Sequence, residues 1–306
     1  RVDVVLGGPP CQGFSFAGKQ KIDDPRNDLY LDFKRIVEQI RPRVFLMENV
    51  RGLEKMALGA VEESFLKINY RPTIIRANCT SIGLPQRRER LIIVGTHKKD
   101  KLFKSPDVFL GGLFGAKDPR PLLSVINDLT KPKLGGRDKN SSSNYLDDHE
   151  YLPFSELEGT FIPHIPNGGY FRNAPRKFLP ERLKKIYDNP AQYKNPRLFP
   201  KPDPMKPCQT IPASTSPSIG GVIAPDLIYL KETVLPVNIE RNTKLGIYSS
   251  PVGSRRFTAR EIARLQGFPD DFLFTGSLSA KTKMIGNAVA VPLARLFAEE
   301  IKNQYF

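Results

Sequence analysis

Three groups of side chains early in the sequence could do chemistry together. They are Cys11 in Gly7-Gly8-Pro9-Pro10-Cys11-Gln12-Gly13-Phe14-Ser15, Glu48 in Glu48-Asn49-Val50, and the arginines of Gln86-Arg87-Arg88-Glu89-Arg90. Two prolines stiffen the backbone directly before the thiol and the paired glycines leave room for a ligand, so Cys11 is displayed rather than packed. A thiolate attacks as S⁻ and can later leave, which suits covalent catalysis. A thiol hydrolase or redox centre would want a histidine or second cysteine close by, and neither is near in sequence. Taken singly, Glu48 reads as an ion pair at a strand end and the arginine run as a solvated charged face. Cys79 and Cys208 read as buried structural thiols, the common fate of a free cysteine.

The elements that would hold these groups follow from periodicity. Residues 1–97 alternate strand-like and helix-like runs: VDVVLGG, the amphipathic LYLDFKRIVEQI, VFLMENV, a second helical stretch, PTIIRAN and RLIIVGT. Short continuous apolar runs suit strands buried on both faces with helices between them, a doubly wound α/β pattern. In such sheets chemistry gathers beyond the carboxyl ends of the strands, where GGPPCQ and ENV fall. From about Lys98 to Gly253 the texture becomes rich in proline and glycine. Residues 172–206 of that stretch hold ten basic side chains against three acids, interleaved with Tyr187, Tyr193 and Phe199. Such a segment can straddle a phosphate backbone. Order returns with TAREIARLQG, a helix begun by Thr258 and ended at Gly267, and with the closing helix AVAVPLARLFAEEIKNQ.

The 306 residues allow about two domains, and 40% hydrophobic content can build a core. A formal charge of +15 favours a polyanionic partner. Three scattered cysteines and three histidines suit neither a disulfide framework nor a metal site. No run approaches a membrane span. These features point to a reducing, cytoplasmic setting without a membrane partner.

GGPPCQGFS resembles the cysteine motif of the DNA (cytosine-5) methyltransferase family, and further motifs of that family follow in its order. Glu48-Asn49-Val50 matches its ENV, and residues 86–90 match its QRRER. Residues 256–269, together with the preceding Arg255, match its RxxTxRExARLQGFP helix, and Gly286-Asn287-Ala288-Val289 its terminal GNAV. The resemblance covers residues 1 to about 97 and 250 to 305. It implies an α/β, Rossmann-like methyltransferase large domain with a smaller, irregular target-recognition domain. The expected division is 1–160 for the catalytic large domain, 161–273 for target recognition, and 274–306 for a helical segment returning to the large domain. Lys206 to Ala213 resembles the short threonine-containing element that ends the family's recognition domain.

Carbon 5 of cytosine is a poor nucleophile, so alkylating it requires a nucleophile to add first at carbon 6. Cys11 would attack, Glu48 would hold or protonate N3, Arg90 would hold O2, and Arg88 would brace the site or a phosphate. The base must leave the duplex to be reached, at a cost that phosphate contacts repay. Ser15 and residues 16–21 would close over double-stranded DNA. Lys177, Lys184, Lys185 and Lys194 would contact its backbone. The methyl donor implied is S-adenosylmethionine, held by the backbone near Pro10, by Leu29, Asn287 and Ala288. In the family the first strand-turn-helix and an acidic second strand end lie before the cysteine motif, whereas six residues precede Gly7 here. The expectation is a large domain incomplete at its N-terminus, with the remaining motifs on a preceding segment or a second chain, in a restriction-modification setting of bacterial or phage origin. A tRNA cytosine methyltransferase of similar fold is the alternative, disfavoured by the long basic recognition region and the absence of the Cys-Phe-Thr of the RNA relatives. A catalytically silent DNA-binding subunit is another, opposed by the presence of Cys11, Glu48 and Arg90.

Overall fold

The computed structural model describes residues 2–10, 29–107, 119–134, 149–151, 153–193, 198–213, 223–229, 234–236 and 254–306. Contacts divide the chain into two compact units: Arg1–Ile82 with Arg88–Lys117 and Pro292–Phe306, and Gly83–Arg87 with Asp118–Val291.

The first unit is built on a sheet of β1 (Val4–Gly7), β2 (Val44–Asn49), β3 (Tyr70–Asn78) and β5 (Glu89–His97), in the order β1-β2-β5-β3. β1 and β2 are parallel because α1 (Leu29–Ile40) carries the chain back between them. The doubly wound pattern expected from the sequence holds only as far as β3. Only a 3-10 turn at Cys79–Ile82 and the two-residue β4 (Gln86–Arg87) separate β3 from β5, and these two pair antiparallel, as do β2 and β5. Residues 78–89 are too few for a crossover, so the chain reverses.

Burial on both faces explains the apolar runs: Leu91, Ile92, Ile93 and Val94 of β5 are all buried. One face packs on α1 through Phe33 and Val37, one helical turn apart, and on Phe65 of α3 (Leu58–Leu66). Phe45 and Phe65 have ring centroids 4.3 Å apart, with Phe33 edge-on to Phe45 at 5.7 Å. The closing helix, which we label α8 (Val291–Tyr305), buries Leu293, Phe297, Ile301 and Tyr305 every fourth residue. It is fastened to the first unit by Arg43, whose Nη1 donates to the Tyr305 carbonyl at 2.6 Å, and by a two-way bond between Gln304 and the Lys104 backbone.

The second unit includes α4 (Glu156–Phe161), α5 (Glu181–Asp188), β8 (Cys208–Gln209), α6 (Ala259–Leu265) and α7 (Leu278–Asn287). Thr258 caps α6 in a reciprocal capping box with Glu261, and Gly267 turns the chain away at φ +78°, so both expected ends of this helix are observed. Residues 118–160, read from the sequence as the end of the catalytic domain, group here because Leu122 and Ile126 pack with Ile262, Ala263 and Leu265. A second cluster joins Phe161, Phe171, Leu179, Leu183, Ile186 and Phe199. Among the described residues no helix is long and apolar enough to cross a membrane, and no cluster of three or more His, Cys, Asp or Glu could hold a metal.

Candidate active site

In the first unit the carboxyl ends of β1 and β2 bring the Gly8-Pro9-Pro10 turn beside Glu48. The parallel register pairs Gly7 with Met47, which places the next residue of each strand side by side. A side chain at Gly7 would meet the Phe33 ring at 2.4 Å, so only glycine lets β1 pass α1 here. At Gly8 a Cβ would lie 3.6 Å from Glu48 Oε2, so the turn runs directly past the carboxylate. Asn49 is buried; its Nδ2 donates to the Pro9 carbonyl at 3.4 Å and its Oδ1 accepts from the Val50 amide at 2.7 Å. That gives the middle residue of ENV a task the sequence did not disclose, holding the turn that leads to residue 11.

Arg90 Nε lies 2.6 Å from Glu48 Oε1, with the two side chains only 11% and 17% exposed. The antiparallel register explains the meeting: Glu48 faces Ile92, and Arg90 is two residues earlier on the same face of β5. Arg90 Nη1 also donates to the Glu89 carbonyl at 2.8 Å. Among the described residues Arg90 Nη2 and Glu48 Oε2 take no hydrogen bond, which leaves the pair one donor and one acceptor without a partner there. Arg88 is buried, and burial, aided by the repulsion of Arg90, pulls its guanidinium down to about 10 against the opposing pull of Glu48 and Cys79. Its carbonyl accepts from the Cys79 amide at 3.0 Å.

Cys79 is fully buried, and burial raises its thiol to about 11 although Arg88 and Arg90 draw it down. Cys208 is pushed higher still by burial. Neither supplies a thiolate near neutral pH, in line with the structural role expected for both. Cys11, Ser15 and Lys194 lie outside the described residues, as does the 16–21 segment. Pro10 is exposed at the end of β1 and Leu29, half-buried, opens α1.

Asn287 and Ala288 belong to the second unit, at the end of α7. Asn287 is exposed, and the Ala288 amide caps the helix on the Met284 and Ile285 carbonyls. Gly286 before them meets the Pro212 carbonyl so closely that a Cβ would stand 2.4 Å from its oxygen. The QRRER run is divided between the units after Arg87. Gln86 is fully buried in the second unit, its amide donating to the Leu265 carbonyl at 3.1 Å and accepting from the Ile211 amide at 3.1 Å. Thr210, in the threonine-containing element, donates to the Arg87 carbonyl at 2.8 Å.

The basic stretch sorts into engaged and open charges. Arg172 donates to the Tyr187 and Ile186 carbonyls, both at 2.6 Å, and so caps the C-terminus of α5. Arg176 forms a two-pronged pair with Asp188, Lys184 meets Glu181 at 2.7 Å, and buried Lys201 is held by Asp226 and Ser254. Lys177 lies over the Phe178 ring at 4.9 Å. The side chains of Lys185 and Arg182 make no ion pair or hydrogen bond among the described residues. Arg182 was not among the cations singled out from the sequence, because charge counting cannot tell an engaged guanidinium from an open one.

Residues 1–303 match the model of the C-5 cytosine-specific DNA methylase family. The chain belongs to this family. It is 30% identical over 311 residues to the type II methyltransferase M1.HphI of Haemophilus parahaemolyticus, covering 98% of this chain and 68% of the relative. It is 29% identical over 331 residues to M.DdeI of Desulfomicrobium norvegicum, covering 98% and 72%. Its fold is similar to the crystal structure of a DNA modification methyltransferase encoded within a prophage of E. coli, with a TM-score of 0.59 and 21% identity, covering 99% of this chain and 79% of that one. The enzyme is a DNA (cytosine-5) methyltransferase of α/β fold.

Proposed function

We propose that the enzyme methylates cytosine through a covalent adduct with Cys11, on double-stranded DNA, with S-adenosylmethionine as donor. The observation that carries this reading is the Glu48–Arg90 pair at 2.6 Å, with Glu48 Oε2 and Arg90 Nη2 free of hydrogen bonds among the described residues. A cytosine presents N3 and its 4-amino group on one edge with O2 adjacent. When ionised, the carboxylate oxygen accepts from the 4-amino group, and when protonated it donates to N3; the guanidinium nitrogen donates to O2. Cys11 Sγ adds at carbon 6, and the electron pair gathers on carbon 5 and the N3–O2 edge, where Glu48 and Arg90 hold it. With that pair carbon 5 would take the methyl group that a bound sulfonium donor supplies, the donor leaving as a neutral thioether. A base then removes the carbon-5 proton, and the C5–H bonding pair re-forms the 5,6 double bond and expels the thiolate. The burial of Cys79 and Cys208 supports Cys11 as the nucleophile. Because carbon 6 is closed off inside a stacked duplex, the base enters the site flipped out.

When bound, S-adenosylmethionine supplies a methyl carbon activated by its sulfonium. Within the first unit, exposed Pro10 and half-buried Leu29 offer apolar surface that fits part of such a ligand; for Asn287 and Ala288 of the second unit the assignment rests on the family motif alone. Among the described residues β1 pairs only with β2, and Val2 and Leu6 are 49% and 68% exposed. That open edge and apolar surface suit a further protein layer completing the cofactor site, continuous with this chain or on a second one. Target recognition is assigned to residues 161–273, and a modification role beside a type II restriction enzyme follows from the relatives.

Duplex DNA carrying 5-fluorocytosine at the target tests the reading, since carbon 5 then has no proton to lose and the adduct cannot resolve. The expected product is a covalent complex mapped to Cys11 and absent in Cys11→Ser, which still binds DNA. An adduct on Cys79 or Cys208 overturns it.

A further inference from the structure

We propose that the second unit carries a nucleotide pocket of its own between α4 and α5, which takes a nucleotide whose base bears an exocyclic amino group. The cavity measures about 430 Å³, within the roughly 300–1,000 Å³ that small-molecule sites span. Its floor is apolar: Phe161, Leu183 and Phe199 are at most 5% exposed, and Leu198 adjoins them. The Phe161 and Phe199 rings meet edge to face at 4.9 Å.

Phe199 holds φ at +53°, in the left-handed region that a bulky residue before a proline avoids. Backbone strain of this kind persists where the surrounding structure enforces it, and binding sites are where it concentrates.

Four polar side chains line the cavity: Ser155 and Arg256, which both bond Glu158, Glu158 itself, and Arg182. Glu158 Oε2 is saturated, accepting from the Ser155 amide at 3.0 Å, the Ser155 hydroxyl at 3.1 Å and Arg256 Nη2 at 2.9 Å. Its other oxygen, Oε1, accepts nothing among the described residues, so a carboxylate fixed by a helix cap keeps one acceptor for a ligand. Arg182, exposed in the first turn of α5, has a guanidinium with no partner among the described residues, the group best shaped for phosphate.

An apolar floor, one acceptor and one cation match the three parts of a nucleotide. The base packs on the rings, its amino group donates to Glu158 Oε1, and its phosphate meets Arg182. Adenine, cytosine and guanine carry such an amino group; thymine does not. The ligand could be a free nucleotide or an unstacked one within DNA, and the DNA source rests on the reading given under the proposed function.

Calorimetric titration of the protein with dAMP, dCMP, dGMP and dTMP, and with the matching nucleosides, tests this. The amino-bearing monophosphates should bind roughly tenfold tighter than dTMP. Arg182→Ala should remove most of the monophosphate advantage and leave nucleoside binding unchanged. Glu158→Gln should narrow the preference against thymine; as Glu158 also caps α4, circular dichroism accompanies it, and Arg182→Ala decides if that variant unfolds. Equal binding of dTMP, or no effect of Arg182→Ala, overturns the proposal. A single-stranded oligonucleotide binding more tightly than any mononucleotide assigns the ligand to DNA, and equal binding to a free nucleotide. Trapping by fluorocytosine DNA is read separately, so either proposal can fail alone.

Discussion

The ring of His149 accepts at Nδ1 from the Thr258 hydroxyl, 3.1 Å away, and that direction is forced from both ends. His149 Nε2 stands 2.6 Å from the Thr130 carbonyl, which can only accept, so Nε2 carries the proton and Nδ1 is bare. The Thr258 oxygen already accepts from the Glu261 amide in the α6 cap, leaving its proton for the histidine. The neutral ring is thus part of the cap of the helix that organises the second unit.

Burial is the chief reason the His149 pKa is lowered from 6.5; Glu261 and the Thr130 carbonyl oppose it, and Arg255 and Arg264 reinforce it. The unfolded chain therefore binds this proton first. Stability is fully present above about 6.5 and is lost as pH falls through the folded pKa, by up to about 1.4 kcal/mol per pH unit. Urea unfolding between pH 8 and pH 5 should show the fall, and His149→Gln should flatten it. An unchanged slope in that variant would assign the acid loss to other groups.

Gly95 is the second test. Phe45 pairs with it across β2 and β5, and a Cβ at residue 95 would stand 2.0 Å from the Phe45 ring. Because the ring is locked among Phe33, Phe65 and Tyr70, it has no free space to move into. Gly95→Ala should destabilise the first unit by about 3 kcal/mol, at the upper end of ordinary overpacking. Adding Phe45→Leu should recover part of that loss, a coupling that chemical unfolding of the four proteins measures.

Among the basic residues, structure and function should separate. Lys185→Ala, with or without Lys177→Ala, should lower affinity for all DNA sequences alike and reduce the salt slope by about one per phosphate contact. Arg172→Lys should leave the slope alone and lower the melting temperature, because the capping guanidinium serves Ile186 and Tyr187 rather than a phosphate. The reverse pattern in salt-dependent binding assays would exchange these assignments.

What was legible in the sequence was local. Leu29–Ile40 and the Thr258 cap appear where apolar spacing and capping chemistry put them, since their causes lie within a few residues. The pairing of Glu48 with Arg90 was not legible, although each had been singled out, because it depends on an antiparallel register between distant strands. Gln86 was equally opaque: its partners lie 125 and 179 residues away. Counting charges overstated the open basic surface, since Arg172, Arg176, Lys184 and Lys201 are all engaged within the protein.

The Glu48–Arg90 pair gives the sharpest prediction about catalysis. Arg90 has three uses for one planar group on the proposed reading: Nε meets Glu48 and Nη1 the Glu89 carbonyl, while Nη2 is the nitrogen proposed to meet the base. Lysine keeps the charge but offers a single nitrogen, which cannot reach a carboxylate, a backbone carbonyl and a ring oxygen in fixed directions. Arg90→Lys should therefore lower the single-turnover methylation rate by about 100-fold, as loss of one aimed donor does elsewhere, while duplex affinity barely changes. Glu48→Gln keeps a hydrogen bond at N3 but cannot deliver a proton, so it too should slow chemistry more than binding. If the arginine serves only to neutralise Glu48, the Arg90→Lys enzyme will turn over at the wild-type rate in rapid-quench experiments, and the open Nη2 will have no catalytic meaning.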